Sequence, residues 1–114
     1  MKKFQLGEFE EIVILAIAIH NGTAYSVSIK DEIESRLART VSLGALHAAL
    51  KRMEEKGYLK SYSGDSSDER AGRPKRYFEI TALGKKAMVH AKETRDGMWK
   101  AIPKPTVNAL AGTP

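Results

Sequence analysis

The chain has no cysteine among its 114 residues. That absence excludes a disulfide scaffold, a thiolate metal site and thiol catalysis. It suits a reducing compartment, and a cytoplasmic location is expected. Long hydrophobic runs are missing too. The longest, Ile12 to Ile19, is far too short to span a bilayer. Glu8, Glu10 and Glu11 stand between the basic start Met1-Lys2-Lys3 and that run, and no small-residue cleavage site follows cleanly, so no signal peptide is expected. Catalytic constellations are also lacking. His20, His47 and His90 fall in separate elements without metal-ligand spacing. Leu83-Gly84-Lys85-Lys86 lacks the upstream glycine and the following hydroxyl of a phosphate loop. Neither G-x-S-x-G nor a paired-carboxylate motif occurs. No enzyme activity, cofactor or metal is expected, and no internal repeat is visible.

The composition that remains is ordinary for one globular domain, with 42% hydrophobic and 29% charged residues. The net charge of +5 favours a polyanionic partner. Its distribution is more telling than its size. Arg70, Arg73, Lys75 and Arg76 fall within seven residues, next to Gly72 and Pro74.

Hydrophobic periodicity gives the element order. Residues 1–6 read as a short arm. A helix follows from Glu8 to about His20, its early glutamates suiting the positive end of the helix dipole. Every residue from Ile12 to Ile19 is apolar, so this helix must be covered on two sides, one by the domain core and the other by a partner subunit. Asn21-Gly22 breaks it. The second helix is expected from about Val27 to Ala38, with Ser28 and Asp31 as a capping box and a buried stripe of Ile29, Ile33 and Leu37. Ser42 caps a third helix, which buries Leu43, Leu46, Leu50 and Met53 and ends at a left-handed Gly57. Tyr58 to Ser63 and Lys75 to Ile80 read as two strands, with Leu59 and either Tyr77 or Phe78 turned inward. Thr81 caps a last helix running to about Ile102, where Pro103 and Pro105 stop it.

The fold class is therefore mainly α with a small two-stranded β wing. Residues 1–80 are expected to form a winged helix-turn-helix DNA-binding domain, 81–102 a C-terminal dimerisation helix, and 103–114 a flexible tail. A helix delivered against a basic hairpin is suited to double-stranded DNA, with the helix in the major groove and the hairpin on the flanking backbone. The sequence Gly44-Ala-Leu-His-Ala-Ala-Leu-Lys-Arg-Met-Glu-Glu-Lys-Gly57, followed by Gly72-Arg-Pro-Lys-Arg-Tyr-Phe-Glu-Ile-Thr-Ala-Leu-Gly84, resembles the PadR family of bacterial transcriptional regulators. The resemblance covers about residues 6–91. It implies a homodimer joined by its N- and C-terminal helices, and a repressor that leaves DNA when a small aromatic effector binds near the interface. Many members carry a tyrosine on the phosphate backbone where this chain has His47, a departure that leaves that contact open.

The DNA contacts expected from this reading are Ser42, Ala45, His47, Lys51 and Arg52 on the third helix and Arg70, Arg73 and Lys75 on the wing. Ser42 offers a hydroxyl and a helix N-terminus to phosphate, or acts only as a cap. Lys51 and Arg52 contact DNA or pair with Glu54 and Glu55. Arg73, held between Gly72 and Pro74, suits a narrow minor groove or a phosphate. Arg73→Ala is expected to weaken operator binding by roughly 1–3 kcal/mol. The dimer interface is expected to use Phe9, Ile12, Leu15, Ala87, Ala91, Met98, Trp99 and Ile102. Trp99, the sole tryptophan, plugs that interface or stacks on an aromatic ligand, with Met88 and Met98 nearby. Two other classes remain open: a winged-helix protein–protein adaptor without specific DNA binding, and a small-molecule sensor whose DNA role is secondary.

Overall fold

The computed structural model describes residues 4–64 and 75–111. The elements follow in the order α1 (Glu8–Ile19), α2 (Ser26–Leu37), α3 (Leu43–Glu55), β1 (Leu59–Ser63), β2 (Arg76–Ile80), α4 (Ala82–Ala101) and α5 (Lys104–Ala111). The strands pair antiparallel, Leu59 opposite Ile80 and Tyr62 opposite Tyr77. Helices α1, α2 and α3 enclose a core of Val13, Ile14, Ile17, Ile29, Ile33, Leu46, Leu50 and Met53, which the sheet closes with Leu59 and Phe78. Phe78, rather than Tyr77, is the inward residue of β2. Among the described residues, no helix is long and apolar enough to cross a membrane.

Local chemistry fixes the joints. Ser42 Oγ accepts from the Ala45 N–H at 3.0 Å, and Thr81 Oγ1 accepts from the Gly84 N–H at 3.0 Å, so both hydroxyls cap the helices that the sequence assigns them. Gly57 has φ +84°, the left-handed conformation that ends α3. At Gly84 a side chain would strike the Tyr58 carbonyl oxygen, so only glycine lets α4 start this close to the strand. Thr81 reinforces that approach by donating to the Gly57 carbonyl at 2.6 Å. In the turn between α2 and α3, the Val41 N–H donates to Glu34 Oε2 at 2.7 Å. That bond holds the Glu34 carboxyl below its ordinary range, with Lys30 adding to the effect.

Three details depart from expectation. Ser28 does not cap α2. The helix starts at Ser26, Tyr25 takes the cap position, and Ser28 Oγ accepts the Tyr25 N–H at 3.0 Å. Leu37, placed in the buried stripe of α2, is exposed at its end, as is Leu43 at the start of α3. Beyond Pro103, within the segment expected to be a flexible tail, a further helix forms, α5. Pro105 lies in the first turn of that helix, where its missing N–H is tolerated.

Candidate nucleic-acid interface

Helix α3 has two unlike faces. Leu46, Ala49, Leu50 and Met53 are buried, while Ser42, Ala45, His47, Ala48 and Lys51 are exposed. Gly44, Ala45 and Ala48 on this exposed side are small, which lets the helix backbone approach a groove floor closely. Among the described residues, Lys51 takes no ion-pair partner, so its ammonium stands free on this surface. His47 Nε2 lies 3.0 Å from Ser26 Oγ, which ties the start of α2 to the outer face of α3.

The wing root converges on the same end of the molecule. The Ala24 carbonyl accepts from the Phe78 N–H at 2.9 Å, laying the segment before α2 along the edge of β2. Tyr25 thereby reaches Tyr77, their ring centroids 5.8 Å apart and edge-on. The Lys75 ammonium sits 4.5 Å from the centre of the Tyr25 ring. Arg76, at the first position of β2, donates to Ser61 Oγ at 2.7 Å. Arg70 and Arg73 lie outside the described residues.

Arg52 is placed differently from its helix neighbours. Its Nε donates to Glu10 Oε2 at 2.8 Å, and Lys56 Nζ donates to Glu10 Oε1 at 2.8 Å. The expected local partners, Glu54 and Glu55, do not hold it; a glutamate 42 residues away does. Glu10 is 3% exposed, and its Oε1 also accepts from the Gly7 N–H at 2.9 Å. Burial pushes the Glu10 pKa up, but the hydrogen bonds from Lys56, Arg52 and Gly7 outweigh it, and the carboxyl titrates below the ordinary range. Arg52 thus anchors α3 to α1 and is drawn away from the Lys51 face.

A separate surface, on α1 and α4, is apolar and open. Of the residues expected at a dimer interface, Ala87 is 1% exposed and belongs to the protomer core, so its side chain is closed to a partner. Phe9, Ile12, Ala91 and Ile102 are half-buried, and Leu15 is exposed. Met98 is 68% and Trp99 63% exposed. Ile19, at the end of the apolar run of α1, is also exposed, and Val89, which the sequence pattern does not single out, extends this apolar surface. Arg95 donates to Glu11 at 2.8 Å and forms a ridge between α1 and α4. On one side of it a groove of about 470 Å³ is lined by Leu15, Met88, Val89 and Trp99. A second apolar groove, about 450 Å³, runs between α1 and α2 past Ile12, Leu15, Ile33 and Leu37. Among the described residues, no group of histidine and carboxylate side chains is arranged to hold a metal.

Comparison with known proteins gives the family and the fold. Residues 14–90 fit the transcriptional regulator PadR-like family. The fold is similar to a PadR family transcription regulator from Clostridium difficile R20291, 26% identical, with TM-score 0.62 over 81% of this chain and 92% of that one. It is also similar to a transcriptional regulator from Clostridium thermocellum, 24% identical, with TM-score 0.62 over 83% of this chain and 91% of that one. A PadR-like transcription factor from Bacteroides fragilis, 20% identical, superimposes with TM-score 0.68 over 90% of this chain and 88% of that one. Among curated proteins, none matches the chain. With the family model covering most of its length and a winged helix-turn-helix fold to carry it, the chain belongs to the PadR-like family of transcriptional regulators, which bind DNA and are not enzymes.

Proposed function

We propose that the protein is a cytoplasmic homodimeric repressor that holds a pseudo-palindromic double-stranded operator and releases it when a small aromatic effector binds. The observation that carries this reading is the exposed apolar half of α4. Met98 and Trp99 lie in water on a helix whose other end is fixed by Thr81, Gly84 and Ala87. A second copy laid along α1 and α4 would cover Leu15, Val89, Met98 and Trp99 together. Large apolar side chains grouped in this way mark an interaction surface. The two α3 helices would then be related by a twofold axis, and half-sites are expected about one helical turn, or a multiple of it, apart.

On DNA, α3 enters the major groove with Ser42, Ala45, His47 and Lys51 facing the bases and phosphates. Lys75, with Arg70 and Arg73 beyond it, follows the adjacent backbone. If each subunit neutralises about three or four phosphates, the slope of log affinity against log salt is on the order of −6. The groove beside Trp99 and Met88 is the candidate effector site, since a flat apolar ligand there would touch both α1 and α4.

A mobility-shift titration tests this reading, with the DNA upstream of the gene, two salt concentrations and excess non-specific competitor. A discrete, competitor-resistant, salt-sensitive complex is expected. Smeared binding that competitor removes would reject sequence-specific repression at that DNA. Aromatic acids and aromatic drugs added to the complex should quench Trp99 and release DNA together; quenching without release would reject the effector link.

A further inference from the structure

Chain segments enter and leave the wing at Gly64 and Lys75, whose backbones are joined by a 2.6 Å bond from the Gly64 N–H to the Lys75 carbonyl. A side chain at Gly64 would collide with the Tyr77 ring, so the strands close tightly at this point. Tyr77 stacks on Tyr62 across the strands, centroids 5.8 Å apart, and meets Tyr25 edge-on at the same distance. The Lys75 ammonium rests 4.5 Å from the Tyr25 ring centre, within the range at which the negative face of a ring attracts a cation. Tyr25 is itself fixed. It stands at the N-cap position of α2, its carbonyl accepts from the Ile29 N–H, its N–H is bonded to Ser28 Oγ, and the adjacent Ala24 carbonyl is bonded to β2.

This arrangement has a consequence for binding. A free lysine must give up rotamer freedom to hold one phosphate. A lysine already seated on a ring gives up less, and its ammonium keeps donors that the ring does not use. We propose that Tyr25 is a positioning residue for DNA binding: its ring holds the Lys75 ammonium and the Tyr77 edge, and so fixes the root of the wing, with its cation, against the start of α2. The assignment rests on the reading that the wing root meets a backbone phosphate. It separates the tasks of two residues: Lys75 supplies the charge and Tyr25 supplies its place.

The test is a salt titration of the full-length protein against a mixed-sequence DNA duplex, since a phosphate contact weakens binding to all sequences alike. Lys75→Gln is expected to weaken binding about threefold to tenfold and to lower the salt slope by about one. Tyr25→Leu should weaken binding comparably with the slope kept, because the charge remains but wanders. Tyr25→Phe keeps the ring face and should restore affinity. A ring-fluorinated phenylalanine at the same position keeps the shape, withdraws the π density and should lose affinity again. Combining Tyr25→Leu with Lys75→Gln should cost no more than Lys75→Gln alone. Thermal melts of each variant separate folding from binding, and the fluorinated ring decides the matter even where Tyr25→Leu does not fold. Equal affinity for the plain and fluorinated rings would overturn the assignment, as would losses that multiply in the double variant. If Lys75→Gln weakens binding and the fluorinated ring does not, only the role of Tyr25 falls. If Lys75→Gln changes neither affinity nor slope, the wing root does not touch DNA and both readings fall.

Discussion

Helices α3 and α4 both carry an apolar stripe, and they use it differently. Helix α3 buries Leu46, Ala49, Leu50 and Met53 within the protomer and turns a thin, polar face with Lys51 outward. Helix α4 is longer but buries only Gly84 and Ala87, leaving Leu83, Val89, Met98 and Trp99 in water. An apolar stripe by itself does not say where its partner lies. In α3 the partner is the domain's own core, so the helix is finished and its outer face is free to meet another molecule. The outer half of α4 has no such cover, and a helix of this kind draws most of its stability from tertiary packing. The contrast between a finished and an unfinished helix is what the proposed division of labour rests on, α3 for DNA and α4 for a second copy.

The largest effect expected from this contrast is on folding. Leu50→Ala should lower protomer stability by about 2–5 kcal/mol in a denaturant melt, because the cavity lies in a closed core. It should leave the strength of self-association among folded molecules unchanged. Trp99→Ala should do the reverse, weakening self-association by about 2–4 kcal/mol in a sedimentation experiment while the monomer stays folded. If Trp99→Ala instead unfolds the protein and leaves its mass unchanged, the distinction between the two helices is wrong.

Glu10 sharpens the contrast on the α3 side, because this buried carboxylate joins α3 to α1. Glu10→Gln should reduce stability by about 1–3 kcal/mol at neutral pH, below the usual cost of breaking a buried pair since Arg52 and Lys56 retain access to water. A carboxylate whose pKa is lower folded than unfolded stabilises the fold above the ordinary glutamate range. That contribution disappears as the pH falls through the folded value. The gap between the parent protein and Glu10→Gln should therefore be full near pH 7 and close below about pH 4. A gap that widens in acid would reverse the assigned direction. The smallest effect is on the outer face of α3. Lys51→Gln should leave the melt unchanged, weaken DNA binding by about 1 kcal/mol and lower the salt slope by about one.

Much of the fold was legible because short-range chemistry specifies it. Ser42, Gly57 and Thr81 each mark a helix end through bonds to residues within a few positions, and each does so in the structure. The spacing of Leu46, Leu50 and Met53 specifies the buried face of α3. The parts that escaped depend on distant partners. Nothing local ties Glu10 to Arg52 and Lys56, which come together only when α1 packs on α3. Tyr25 meets Lys75 and Tyr77 because the segment before α2 lies against β2, a pairing without a sequence signature. Ser28 is ambiguous because a hydroxyl at the third position of a helix and one at its cap look alike in sequence. Ala87 fits the apolar seam of α4 but faces the core, since Gly84 brings that end of the helix hard against the domain. Pro105 is as compatible with a first helical turn as with a helix stop, and only the three-dimensional structure distinguishes the two.

The central claim is that the exposed half of α4 is an interface between two copies, and sedimentation equilibrium of the purified full-length protein measures it most directly. The expected result is twice the protomer mass at micromolar concentration, reduced to the protomer mass by Trp99→Glu. A folded protein that sediments at the protomer mass throughout would contradict the account.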